Sequence, residues 1–184
     1  TIKSNTTATL GPNDLNLALN GKADIGGTGN GWDNQIDGNK GANVLNGMAG
    51  NDVLAGGDGN DILIGGSGSD VLQGGAGRDT YLFALADLRA GDRDTVPNGR
   101  GDVLDLKAAL SVLTRDGVAL SATAQNATIG SVLDMQNSIA FVQGVLEVDL
   151  NHDGQFAVAD DFQIALPDVL LVGFDAASSL FMLS

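Results

Sequence analysis

The sequence predicts an all-β (mainly) fold: a parallel β-roll of nonapeptide repeats, with an N-terminal capping strand before it and a mostly-β C-terminal cap with short helices after it. Three observations predict this. Of the 27 glycines in 184 residues, 18 fall between Gly21 and Phe83. Gly29, Gly38, Gly47, Gly56, Gly65 and Gly74 are each nine residues apart, and a fixed short period is the mark of a repeat architecture. Five residues after each comes Asn34, Asn43, Asp52, Asp61, Asp70 or Asp79, and two further on Ile36, Leu45, Leu54, Leu63, Leu72 or Tyr81.

The unit has a physical logic. Its first six residues, rich in Gly, Asp and Asn, suit a turn with left-handed backbone. Its last three make a short strand with one apolar residue pointing inward. One such strand buries nothing alone, but stacked copies build a continuous apolar stripe. Each turn reverses the chain, so eighteen residues make one coil and every second turn lies on the same side. Two parallel sheets result, with acidic turns along both edges. The copies GGDGNDILI, GGSGSDVLQ and GGAGRDTYL are the most regular; GMAGNDVLA and GNKGANVLN keep the phase, and GNGWDNQID is degenerate.

Composition narrows the functions. Lys+Arg is 9 against 23 for Asp+Glu, a net charge of −14, and 22 of the 23 acids are Asp. With no Cys and one His, neither a disulfide framework nor a Cys/His zinc site can form. Duplex nucleic acid is not an expected partner, because phosphate binding needs clustered Lys and Arg. No apolar run approaches the roughly 20 residues of a transmembrane segment. The chain starts at Thr1 without a charged, then apolar, leader, which reads as a piece of a longer protein lacking an N-terminal signal peptide.

Stacked Asp turns repel unless a counter-ion lies between them. Asp52 falls over Asp70, and Asp61 over Asp79. Ca²⁺ suits such a site, since it takes six to eight oxygens in flexible geometry, backbone carbonyls included. Mg²⁺ demands a tighter octahedron, and Zn²⁺ prefers N or S donors. Turn preference alone does not explain six copies in one phase.

The copies match G-G-x-G-x-D-x-U-x over residues 47–82, and so resemble the calcium-binding repeats of the repeats-in-toxin (RTX, hemolysin-type) family. The resemblance implies a right-handed parallel β-roll with Ca²⁺ between successive turns on each edge, roughly three to six ions in all. It implies ligand pairs Asp52 with Asp70 and Asp61 with Asp79. Turn carbonyls complete them: Gly47 and Gly50; Gly56, Gly57, Asp58 and Gly59; Gly65, Gly66, Ser67 and Gly68; Gly74, Gly75, Ala76 and Gly77. The pairs Asn34/Asp52 and Asn43/Asp61 are expected to be weaker, because Asn offers a neutral oxygen. Trp32, where the repeat expects Gly, reads as a plug over the upstream end of the roll.

The flanks set the domain boundaries at 1–20, 21–83 and 84–184. LNLAL in the first segment alternates like a strand and is expected to form a first coil or cap. In the last segment LADL and DLKAALSVL read as short helical pieces, while SVLDM, IAFVQGVLEVDL and FQIAL read as strands, with an apolar end at LVGF and SLFML. The loop GDRDTVPNGRGD (residues 91–102) reads as solvated, and no spacing ties its Asp92, Asp94 and Asp102, or the following Asp105, to the ladder. Residues 149–160 place Asp149, Asn151, Asp153, Gln155 and Asp160 at positions 1, 3, 5, 7 and 12 of an EF-hand-type loop,. This is a second Ca²⁺ candidate, with a surface hairpin of turn formers as the alternative. His152, inside it, is expected to be a plain exposed loop residue.

The order of repeat, DTYLF, GDVLDL and terminal apolar strand is similar to the C-terminal region of proteins exported by type I secretion. That similarity implies an uncleaved C-terminal export signal, the type I secretion apparatus as partner, and a secreted or cell-surface location. No nucleophile elbow or phosphate loop occurs, so the segment reads as non-enzymatic. Three roles follow: a calcium-gated folding and export module; a module binding a cell-surface or polysaccharide ligand; and a calcium-bridged lattice component.

Overall fold

The computed structural model describes residues 1–97, 99 and 101–106, and beyond them the strands 127–128, 131–134, 139–142, 145–148, 162–165, 171–175 and 180–183. Twelve short strands come first: β1 Ile2–Ser4, β2 Ala8–Thr9, β3 Asn16–Leu19, β4 Gly26–Thr28, β5 Gln35–Asp37, β6 Val44–Ala49, β7 Val53–Asp58, β8 Ile62–Ser67, β9 Val71–Ala76, β10 Thr80–Leu82, β11 Arg93–Thr95 and β12 Val103–Asp105. Odd-numbered strands stack in one sheet and even-numbered strands in the other, all in parallel. This is the parallel β-roll that the nine-residue period predicts.

The register is eighteen residues per coil through the repeats. Ile36 pairs with Leu54 and Leu54 with Leu72 in one sheet; Leu45 pairs with Leu63 and Leu63 with Tyr81 in the other. All six inward residues are fully buried. Because side chains alternate across a strand, their neighbours Val44, Val53, Ile62 and Val71 point outward and stay exposed. Each full burial of such a side chain contributes about 1.5–3 kcal/mol, so the stripe is the main apolar support of the roll.

Parallel pairing does not stop with the repeats. Thr95 pairs with Val71, and Val103 and Leu104 pair with Thr80 and Tyr81. Val96 and Leu104 extend the buried stripe. Seven further strands follow: β13 Ala127–Thr128, β14 Ser131–Asp134, β15 Ile139–Val142, β16 Val145–Val148, β17 Phe162–Ala165, β18 Leu171–Asp175 and β19 Leu180–Leu183. β17 adds to β11 in parallel, and β16, β15 and β14 continue as an antiparallel meander. β19 adds antiparallel to β12, followed by β18 and β13. LADL forms only a single 3₁₀ turn, Leu85–Asp87. The helix expected in DLKAALSVL lies outside the described residues beyond Leu106.

Trp32 does not plug the upstream end. It is 60% exposed, with its indole N–H donating to the Pro12 carbonyl at 3.0 Å. The coil formed by β1 to β4 already covers the roll upstream of it, so the aromatic ring is left on the outside of its turn.

Candidate metal sites along the two turn edges

The acidic residues form two ladders, one per edge. On the first edge the main-chain N–H of Asn34 donates to Asp52 Oδ1 at 2.7 Å, that of Asp52 to Asp70 Oδ1 at 2.7 Å, and that of Asp70 to Asp94 Oδ1 at 2.8 Å. On the second edge Asn43 donates to Asp61 Oδ1 at 2.7 Å, Asp61 to Asp79 Oδ1 at 2.8 Å, and Asp79 to Asp102 Oδ1 at 2.9 Å. One carboxylate oxygen of each Asp thus ties its coil to the one before.

The other oxygen is treated differently. Oδ2 of Asp52, Asp61, Asp70, Asp79 and Asp94 is buried and has no hydrogen-bond partner. An unsatisfied buried polar atom costs about 1–3 kcal/mol, more when charged. Burial, opposed by the main-chain hydrogen bond and aided by neighbouring carboxylates, pushes Asp52 up to about 7 and Asp61 and Asp70 to about 6. Asp94 rises to about 8 for the same reason, and Asp79 and Asp102 shift upward.

These oxygens converge with main-chain carbonyls. A Cβ added to Gly47 would collide with Asp52 Oδ2 and the Gly65 carbonyl; one added to Gly56 would collide with Asp61 Oδ2 and the Gly74 carbonyl. The first glycine of each unit is therefore required for space. The second and fourth are required for conformation: Gly57, Gly66 and Gly75, like Gly59, Gly68 and Gly77, have positive φ. Among the described residues no three His, Cys, Asp or Glu side chains converge on one point. A cation here would take its ligands from one or two carboxylates plus turn carbonyls, an all-oxygen set that fits Ca²⁺.

The remaining turn residues are placed as follows. The Ser67 and Ala76 carbonyls accept from the Gly50 and Gly59 N–H groups at 3.0 and 2.8 Å. The Asp58 carboxylate points outward to an exposed ion pair with Lys40 at 3.4 Å, worth little in water. Asn34 and Asn43 keep the ladder, and their side-chain amides are hydrogen-bonded within it. The Asn43 amide donates to the Ile25 carbonyl at 2.9 Å and its Oδ1 accepts from Asn39 N–H at 2.7 Å; Asn34 makes the matching contact with Asn30 N–H at 2.8 Å. Asp149, Asn151, His152, Asp153, Gln155 and Asp160 lie outside the described residues.

Asp94 and Asp102 correct the reading of residues 91–102 as a solvated loop, since both are buried rungs. Their signal was the triplets Asp94-Thr95-Val96 and Asp102-Val103-Leu104, which repeat the Asp79-Thr80-Tyr81 pattern. Insertions stretch the spacing to 24 and 23 residues and hide them from a nine-residue period.

Comparison with known families agrees with the geometry. Residues 25–63 and 55–83 match the RTX calcium-binding nonapeptide repeat, a model of four copies. Residues 25–83 are an RTX repeat module. No curated protein matches the chain. The RTX family binds calcium, its β-roll is a structural rather than catalytic fold, and its repeats are typical of exported proteins. Among the described residues no helix is long and apolar enough to cross a membrane. The RTX match ends before Asp94 and Asp102.

Proposed function

We propose that this chain is the calcium-gated folding module of a larger exported protein, with the RTX roll as the gate and residues 84–184 as cap and type I secretion target. The observation that carries the reading is the row of buried, unpartnered Oδ2 atoms at Asp52, Asp61, Asp70 and Asp79. Without a cation these carboxylates oppose folding; with Ca²⁺ they support it, so binding free energy becomes folding free energy. Asp52 and Asp70 serve one edge, Asp61 and Asp79 the other, with the Gly65 and Gly74 carbonyls as neutral ligands. The net charge of −14 keeps the calcium-free chain expanded through self-repulsion. Extracellular calcium modules work at roughly 10⁻⁴–10⁻³ M, a range that suits a switch acting outside the cell.

Far-ultraviolet circular dichroism during a Ca²⁺ titration from chelator, with Mg²⁺ as control, tests the gate. A cooperative coil-to-β transition with Ca²⁺ alone is expected. A β-rich spectrum in chelator, unchanged by Ca²⁺, would overturn it. Export is tested separately, by attaching residues 84–184 to a reporter in a host with a type I apparatus; retention of the reporter inside the cell would reject that part.

A further inference from the structure

Among the described residues the row of bare Oδ2 atoms begins at Asp52. In the two units before it the sixth residue is Asn34 or Asn43, and the second is Asn30 or Asn39. From the Gly47 unit onward the sixth is Asp, and the second is Met48, Gly57, Gly66 or Gly75. Both places change together, at one unit.

The four asparagines close a set of hydrogen bonds on each edge. On the first edge the Asn30 amide nitrogen donates to the Gly11 and Asp14 carbonyls, both at 2.7 Å, and its Oδ1 accepts from Trp32 N–H at 2.9 Å and from the Asn34 amide at 3.2 Å. On the second edge the Asn39 amide nitrogen donates to the Asn20 and Ala23 carbonyls at 3.2 and 3.1 Å, and its Oδ1 accepts from Gly41 N–H at 2.7 Å and from the Asn43 amide at 3.1 Å. The acceptors lie 19 and 16 residues back on both edges, so the arrangement is repeated rather than incidental. They are turn carbonyls of the coil before, and each amide bridges two coils across the gap between their turns. Asn34, Asn39 and Asn43 are buried. A primary amide carries two donors and one acceptor oxygen, and here all are used.

Converging buried carbonyls need a donor or a cation between them. Asp102 shows that the two closures are alternatives. Its Oδ1 accepts from Asp79 N–H at 2.9 Å and its Oδ2 from the Tyr81 hydroxyl at 3.0 Å, so a donor from within the protein leaves neither oxygen bare.

We infer that the Asn30 and Asn39 amides are built-in substitutes for the cation: they fasten the turns before β3 and β4 to those before β5 and β6 without metal, and the calcium gate starts only at the Gly47 unit. The inference rests, for the coils downstream, on the calcium-gated reading and sets its upstream boundary. Solenoids end in atypical capping repeats, and here the cap differs from the repeats in needing no ion. The gated coils then stack on turns that are already finished.

The test combines Ca²⁺ counting by equilibrium dialysis with chemical denaturation in saturating Ca²⁺, on the full 184-residue chain. Asn39→Asp exchanges one NH2 for an oxygen of similar size and sets it against the Asn20 and Ala23 carbonyls. It is expected to bind one more ion than the unchanged chain. Asn39→Ala removes the clasp; it is expected to keep the ion count and to lower the folding equilibrium constant of the calcium-loaded roll roughly fivefold or more, the order of one lost hydrogen bond. Asn30→Ala repeats this on the first edge, and the two alanine variants decide the matter if Asn39→Asp does not fold. A lower count in either alanine variant would make the asparagine a metal ligand and overturn the inference. So would unchanged stability in both alanine variants, or an unchanged count and stability in Asn39→Asp. An unchanged chain that binds no Ca²⁺ would instead reject the calcium-gated reading, while the alanine variants would still report on the clasps.

Discussion

Asp52 and Asp70 are joined by a hydrogen bond of 2.7 Å from the main-chain N–H of the first to Oδ1 of the second, eighteen residues on, while Oδ2 of both remains buried and bare. The same side chain is thus a structural acceptor through one oxygen and a ligand in waiting through the other. Substitution can separate the two functions.

Asp52→Asn keeps an oxygen for the Asn34 N–H and removes the buried charge. In chelator the variant is expected to gain about 1–3 kcal/mol, the order of one relieved unsatisfied group. Its calcium midpoint is expected to rise, because a neutral ligand has replaced an anionic one. Thermal melts in chelator with a stabilising osmolyte, which restores a folded calcium-free baseline, and a dichroism titration measure the two effects; a loss of stability in chelator would contradict the assignment of Oδ2.

The pH dependence should change sign with calcium. Without metal, Asp52 titrates near 7 and Asp61 and Asp70 near 6 in the folded roll, against 3.8 unfolded. The folded state then holds more protons than the unfolded one between these values, so stability is gained as pH falls from about 7 to about 4 and lost as it rises. With calcium the ligands must be deprotonated, and the transition midpoint should move to higher Ca²⁺ as pH falls through the same window. Melting temperatures across that window, in chelator with a stabilising osmolyte and in saturating Ca²⁺, should slope with pH in opposite directions.

Met48 is the one non-glycine at positive φ among the described residues, with φ 83° at the place that Gly57, Gly66 and Gly75 hold in later copies. Its side chain is 51% exposed, so little packing is at stake. Met48→Gly is expected to stabilise the holo-roll by about 1 kcal/mol, the cost of a left-handed residue. The reverse experiment, Gly66→Ala, should cost more, because its Cβ would also strike the Met48 carbonyl. Chemical denaturation of both variants in Ca²⁺ checks the pair.

Gly56→Ala and Gly57→Ala differ in kind. The backbone at Gly57 is left-handed and that at Gly56 is not. Both variants should be less stable, but only Gly56→Ala places a methyl against Asp61 Oδ2 and the Gly74 carbonyl. It is expected to bind one Ca²⁺ fewer, while Gly57→Ala keeps the count. Ion counting by equilibrium dialysis distinguishes them.

The roll was legible where one period carried the whole signal. Glycine, Asn or Asp, and an apolar residue recur together from Gly29 to Tyr81, and backbone, edge and core follow from that phase. The last rungs were not legible because two insertions break the count while leaving the Asp-x-apolar triplet intact at Asp94 and Asp102. Tyr81 was read as core, and it is buried, but a phenol in an apolar slot also carries a hydroxyl, and only the fold shows that it reaches Asp102. Asn34 and Asn43 were read as feeble ligands; the amide nitrogen that weakens them as ligands makes them donors that close their own turns. Trp32 misled because an aromatic is an apolar residue in composition, and a turn position has no interior to receive it.

The Oδ1 bonds all run one way: each coil's turn is fastened by the carboxylate of the coil that follows it in the chain. The roll is therefore a directional polymer, with each completed layer acting as the template for its N-terminal neighbour. Shortening such a stack from its N-terminal end leaves the rung N–H of every remaining Asn or Asp bonded, whereas shortening it from the other end always leaves one rung N–H without its carboxylate.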